Sequence, residues 1–193
     1  MEFVPIFANP NETPFRGLYA VRYEDMPEGE NSWSQFIDKL SDAEFRRSFI
    51  QARHANLLVK GYFGTYTVSE ASNRVLDEFL DITDELADAY QNGIQELILL
   101  LNERFKPLDN QVVSEELMRS KAKPMNPKEP WVRLYAVKVS PDLYIFSGGT
   151  IKLTQYIDQD EATKHEKAKV DRLRQCLINE GMYDRDAYTE LEL

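Results

Sequence analysis

The chain has a single cysteine, Cys176, so no disulfide can close within it. That fits a reducing compartment. It has two histidines, His54 and His165, far apart and in polar, helical contexts. A metal site built from His and Cys is thereby excluded, and a Ser-His-Asp or Cys-His nucleophile has no visible support. There is no GxGxxG and no Walker A pattern, so no glycine-rich loop is set up to cradle a nucleotide phosphate. The longest unbroken apolar run, "LILLL" at 97–101, falls far short of the ~20 residues that cross a bilayer. The opening "MEFVPIFANP" lacks the basic start and long apolar stretch of a secretory signal. These absences describe a cytoplasmic protein, with no membrane, metal or cofactor called for.

What is present is ordinary in bulk and uneven in detail. Hydrophobic residues make up 42% of the 193 positions and charged residues 29%, enough to build a core and argue against global disorder. The length is that of one domain, read over 1–193. The formal net charge is −10. Residues 1–118 hold 10 Lys/Arg against 21 Asp/Glu, a net −11, and residues 158–193 hold 6 against 10, a net −4. Between them, residues 119–157 hold 7 against 2, a net +5. Within "SKAKPMNPKEPWVRLYAVKV" (120–139), Lys121, Lys123, Lys128, Arg133 and Lys138 face a single acid, Glu129. An acidic chain repels nucleic acid at long range, whereas a local cationic patch can bind it at short range.

The hydrophobic pattern gives the order of elements. "RGLYAVRYE" (16–24) alternates as a strand, with Leu18 and Ala20 opposed to Tyr19, Val21 and Tyr23. Capping patterns "SWSQ" and "SDAE" open one or two helices over 33–53. "KGYFGTYTV" (60–68) reads as a short extended piece. "TVSE" (67–70) opens a long helix, with Leu76, Phe79, Leu80, Thr83, Leu86, Ala87 and Tyr90 inward. "NG" at 92–93 turns the chain into a second, antiparallel helix. "WVRLYAVKV" (131–139) and "LYIFSGGTIKLT" (143–154), joined by "SPD", predict an antiparallel hairpin, and Gly148-Gly149 predicts a bulge, a bend or a break into two strands. Residues 158–181 predict a polar helix with Val170, Leu173, Cys176 and Leu177 as its apolar stripe and Gly181 as its stop. The expected class is α+β: a small, mostly antiparallel sheet with helices packed on one face. Its segments are an N-terminal strand with an added helical part (1–68), a helix pair (69–106), basic strands (111–157) and a C-terminal helix (158–181).

Two charged groupings are candidates for chemistry. Asp77, Asp81, Asp84 and Asp88 line one helix face, which reads as a solvated face since no partner segment supplies further metal ligands. The basic strands are sharper. Alternation puts Arg133, Tyr135 and Val137 on one face, and Thr150, Lys152, Thr154 and Tyr156 on one face, with Ile151 and Leu153 pointing the other way. Arg offers forked donors to phosphate oxygens, Lys a point charge and Tyr a stacking surface. Such a face can cleave RNA without histidine: a Lys or Tyr of lowered pKa takes the 2′-hydroxyl proton, Arg stabilises the phosphorane, and a second Lys or Tyr protonates the leaving oxygen. The plain alternative is a solvated sheet face covered by long side chains.

"FKPLDN" (105–110), "SKAK" (120–123), "RLYAVKV" (133–139), "LYIFSGGTIKLTQ" (143–155) and the polar helix behind them resemble the C-terminal half of the RelE/HigB-like toxins, the phage-derived branch in particular. The resemblance covers roughly residues 92–178. It implies a RelE-like core with an N-terminal helical extension, and a toxin of a type II toxin-antitoxin system. Such a toxin cleaves messenger RNA on the ribosome and is neutralised by an antitoxin from a neighbouring gene. By position it implies catalytic roles for Lys121, Lys123, Arg133, Lys152 and Tyr156: base or acid for the lysines and tyrosine, phosphate contact for the arginine. The chain departs from the family in being larger and acidic. The same core used as a non-catalytic binding or regulatory protein is the alternative expectation.

Overall fold

The computed structural model describes residues 1–11, 15–54, 66–108, 117–125, 129–154 and 159–182. Among them, strands β1 (Glu2–Phe7) and β2 (Gly17–Arg22) precede helices α1 (Ser32–Ser41) and α2 (Ala43–Gln51). The long α3 (Val68–Gln91) and α4 (Ile94–Arg104) follow, then β3 (Lys106–Pro107), β4 (Met118–Ala122), β5 (Val132–Ser140), β6 (Leu143–Ile151) and α5 (Glu161–Asn179). The six strands form one sheet in the order β1-β2-β6-β5-β4-β3, antiparallel except where β2 runs parallel to β6. The α+β class and the antiparallel hairpin β5–β6 are as the sequence predicts. Among the described residues no helix is long and apolar enough to cross a membrane.

Helices on one face only is the expectation that fails. The strands are apolar on both sides, so both sides need cover. Leu18, Leu134, Ala136, Tyr144 and Phe146 join the core beneath α1–α4. Their neighbours Tyr19, Val21, Val137, Val139 and Ile145 join a second core with Leu173 and Leu177 of α5 on the opposite face. The stripe on α5 therefore works as predicted, but from the other side of the sheet. Gly181, at φ +76, ends the helix there, and Met182 N–H caps the Leu177 carbonyl at 2.9 Å.

Local signals fix the helix starts. Thr67 and Glu70 form the predicted reciprocal box on α3, with Glu70 N–H donating to Thr67 Oγ1 at 3.2 Å and Thr67 N–H to Glu70 Oε2 at 2.8 Å. At α1 the cap is Asn31 rather than Ser32: Asn31 Oδ1 accepts from Trp33 and Ser34 N–H. Ser32 is instead buried in the sheet, accepting from Val21 N–H at 3.1 Å and donating to the Phe146 carbonyl at 2.7 Å. α2 is capped by Asp42, not Ser41. The inward face of α3 is rotated from the expected one, carrying Ala71, Val75, Glu78, Phe79, Ile82 and Leu86, while Leu80 stays 43% exposed. The predicted extended piece at 60–68 lies mostly outside the described residues.

The bulge in β6 sets the geometry of everything that follows. Tyr135 pairs with Gly148 but Ala136 pairs with Phe146, so one residue is extra and the facing parity reverses. Before the bulge Tyr144 and Phe146 face α1–α4; after it Ile151 and Leu153 do. Gly148, Thr150 and Lys152 thus turn to the α5 side, as the predicted Thr150/Lys152 face requires. Both glycines are needed for space. A Cβ on Gly149 would stand 2.5 Å from the Phe36 ring, and one on Gly148 would stand 2.1 Å from Glu166 Oε2.

Candidate functional site

The α5 side of the sheet is only partly covered, and where α5 does not reach, a cleft of about 260 Å³ opens beside β3, β4 and β5. Strand register builds its floor. Lys106 of β3 pairs with Lys121 of β4, Lys121 with Tyr135 of β5, and Tyr135 with Gly148 of β6. One row further along, Arg133 pairs with Thr150, and Lys152 N–H donates to the Trp131 carbonyl at 2.7 Å. Arg104, Lys106, Lys121, Lys123, Arg133 and Lys152 all line the cleft, with Tyr135 buried among them. No carboxylate lines it among the described residues. Like charges directly opposite weaken a sheet, and Lys106 against Lys121 is such a pair.

The fold holds these cations from behind. Arg133 is half-buried, its Nη1 donating to the Pro130 and Val132 carbonyls. Lys121 Nζ donates to the Leu108 carbonyl at 3.4 Å and Lys106 Nζ to the Asn102 carbonyl at 3.3 Å. Arg104, at the end of α4, is clamped to Glu85 of α3, Nε to Oε2 at 2.9 Å, and that bond raises its pKa. Behind Arg133, Glu78 of α3 is 2% exposed and accepts from the N–H groups of Trp131 and Val132 and from Arg74 Nε. The Arg74 guanidinium stacks 4.0 Å from the Trp131 ring centroid. Glu78 and Arg74 thereby fix the start of β5 and with it the place of Arg133.

Electrostatics differ among the titrating groups. Burial pushes the Lys152 amine down to about 8, helped by the charges of Arg133, Lys121 and Lys123. A minority, on the order of a tenth, is therefore neutral at pH 7, far more than of an ordinary lysine, and a neutral lysine is a base. Burial pushes the Tyr135 hydroxyl up to about 12, with Arg133 pulling the other way and Glu166 adding to the rise. Tyr135 keeps its proton and can only donate it or share it.

Four of the five residues expected at the site, Lys121, Lys123, Arg133 and Lys152, meet in this cleft. Tyr156, the fifth, lies outside the described residues, as does Lys128 of the basic stretch. Lys138 goes elsewhere: its Nζ donates to Asn102 Oδ1 at 2.7 Å, on the helix-pair side. Of the lining residues not given a role from the sequence, Ala122 is apolar and three carry polar groups. Tyr135 was legible from its place two residues after Arg133. Lys106 was legible from "FKPLDN", a cation beside a proline where a helix gives way to an edge. Arg104 carried no signal beyond a charge in a last helical turn. The Asp77, Asp81, Asp84 and Asp88 row is exposed throughout, and among the described residues no group of three ligating side chains is arranged to hold a metal ion. His165 is exposed, and His54 Nε2 lies 2.9 Å from the Tyr66 carbonyl, away from the cleft. No protein-family model, no curated protein and no solved structure matches this chain, so the functional reading rests on the chemistry of the cleft.

Proposed function

We propose that the cleft is the active site of a metal-independent endoribonuclease of the RelE/HigB-like toxin type. It cuts messenger RNA on the ribosome and is silenced by an antitoxin encoded beside it. The observation that carries this reading is the convergence of six cations on one cleft around a lysine whose pKa is pushed down to about 8. A surface that only holds an anion is served by fully charged lysines; a lysine stripped of part of its charge is suited to proton transfer.

The chemistry is a transesterification. The neutral Lys152 amine takes the proton of a ribose 2′-hydroxyl, and the 2′-oxygen attacks the adjacent phosphorus. The bond from phosphorus to the 5′-oxygen breaks as the new one forms. Arg133 stabilises the dianionic phosphorane with forked donors, and Tyr135 adds a hydroxyl donor from the floor. Lys121 or Lys123 gives a proton to the departing 5′-oxygen. The products are a 2′,3′-cyclic phosphate and a 5′-hydroxyl end, with no water consumed. Lys106 and Arg104 extend the positive rim along which the RNA backbone lies.

Induced expression in a bacterial host tests the reading, with wild type beside Arg133→Ala/Lys152→Ala at matched protein levels. Wild type should arrest growth and leave RNA ends with cyclic phosphates and 5′-hydroxyls; the double variant should do neither. Arrest without new ends would favour the non-catalytic binding protein. Equal arrest by both chains would place the harmful surface outside the cleft.

A further inference from the structure

A second cavity, of about 420 Å³, lies on the other side of the β6 bulge between α1 and α5. It opens where β2 ceases to accompany β6 at Phe146 and Ser32 takes over the hydrogen bonding, so that among the described residues no strand of this sheet side pairs with the edge beyond. The charge here is opposite to that of the cleft. Glu30, Asp38, Asp42 and Glu166 line the cavity against Lys39 and Lys169, a net −2.

Glu166 makes this more than an acidic patch. Its side chain is 2% exposed, and Lys169 Nζ meets Oε1 at 2.9 Å. Oε2 is buried with no hydrogen-bond partner among the described residues. That oxygen lies against Gly148, in the space a side chain there would fill, and Gly148 and Glu166 line the cavity together. A buried carboxylate oxygen without a donor is costly, and native folds keep few of them. A donor entering from the cavity would satisfy it.

We infer that this cavity binds a linear aliphatic polyamine. The carboxylates are not gathered as a divalent ion requires: no three ligating groups in the described residues are close enough. They come instead from separate places in the fold, Glu30 before α1, Asp38 on α1, Asp42 at the cap of α2 and Glu166 on α5, which matches a ligand whose charges are spaced out. The Phe36 and Phe45 rings line the wall between them and suit methylene spacers. One terminal ammonium donates to Glu166 Oε2 at the Gly148 end; the next amines meet Asp38 and Glu30 toward the mouth. The volume falls within the roughly 300–1,000 Å³ of small-molecule sites.

Calorimetric titration of the full chain with spermidine, at about 0.15 M salt to screen diffuse attraction, tests this. Saturable one-to-one binding is expected. Glu166→Gln should weaken it at least about tenfold, the loss of one buried charge-assisted bond, and Asp38→Asn, at an exposed position, should weaken it severalfold. A control pair on the distant α3 face, Asp77→Asn/Asp81→Asn, should leave it unchanged. Overturning results are non-saturable binding, an equal loss in the α3 control pair, or unaltered affinity in Asp38→Asn together with a folded Glu166→Gln. Competition by magnesium at equal charge concentration would also overturn it, by showing a general counterion effect.

Discussion

Two charges flank the start of β5, Glu78 buried and Lys152 half-buried, and the fold treats them in opposite ways. Glu78 reaches it from α3 and is fully furnished: Arg74 and two backbone N–H groups donate to it. Burial pushes its pKa up, against the pull of those donors. Lys152 reaches the same strand from β6, bonded through its N–H to the Trp131 carbonyl, and is set among charges of its own sign. Glu78 is a charge used to hold a strand in place. Lys152 is a charge whose proton the surroundings loosen, and such groups concentrate where proton chemistry is done. Charged residues here can be sorted by the direction in which their surroundings move them: the donors on Glu78 favour its charge, whereas burial and like charges around Lys152 disfavour its own.

The comparison can be broken most sharply at Lys152. Lys152→Met should lower RNA cleavage by about 10²–10⁴-fold, the range for losing a general base, read as initial rates on a defined RNA. Glu78→Ala should leave Arg74 and two buried N–H groups without a partner and destabilise the fold by roughly 3 kcal/mol, on the order of 10 °C in melting temperature for a chain of this size. It should lower activity only as far as it unfolds the protein.

Proton linkage gives an intermediate effect. The Lys152 pKa is lowered in the folded state from 10.5 to about 8. The unfolded chain therefore holds more proton between those values, and this group makes stability rise with pH across that window. Cleavage should climb about tenfold per pH unit below pH about 8 and level off above it, as the amine loses its proton. Replacing Lys152 by Met should remove the rise in stability and raise stability at neutral pH by about 1 kcal/mol, a figure discounted for the half-exposed position. The smallest effect is expected at the exposed acidic face, where Asp77→Asn/Asp81→Asn should move the melting free energy by less than about 0.5 kcal/mol.

The sequence carried much of this where local physics decides. The hairpin and an irregularity beside Gly148-Gly149 follow from turn chemistry and glycine punctuation, although the extra residue is Ser147. So did the capping box at Thr67 and the stop at Gly181. What was lost depended on partners far away in the chain. Ser32 looked like a helix cap, but two sheet strands claim its hydroxyl. Large side chains drew the predicted face of α3 toward Leu80, whereas the buried face includes small Ala71 and charged Glu78. A carboxylate in an apolar stripe, between Val75 and Ile82, was the legible signal for the clamp. β1 went unread because Pro5 interrupts its pattern, and an edge strand tolerates that proline. The second covered face was legible only in part. "VRLYAVKV" is apolar in both parities, but nothing local says which helix lies over which side.

The measurement that tests the account most directly is made on one preparation of Lys152→Met beside wild type: the RNA cleavage rate and the melting temperature at neutral pH. The account predicts opposite signs, with cleavage lost and the variant melting higher. A variant that cleaves as fast as wild type would contradict it and remove Lys152 from the chemistry. A variant that loses both cleavage and stability would show instead that Lys152, like Glu78, serves chiefly to hold the fold.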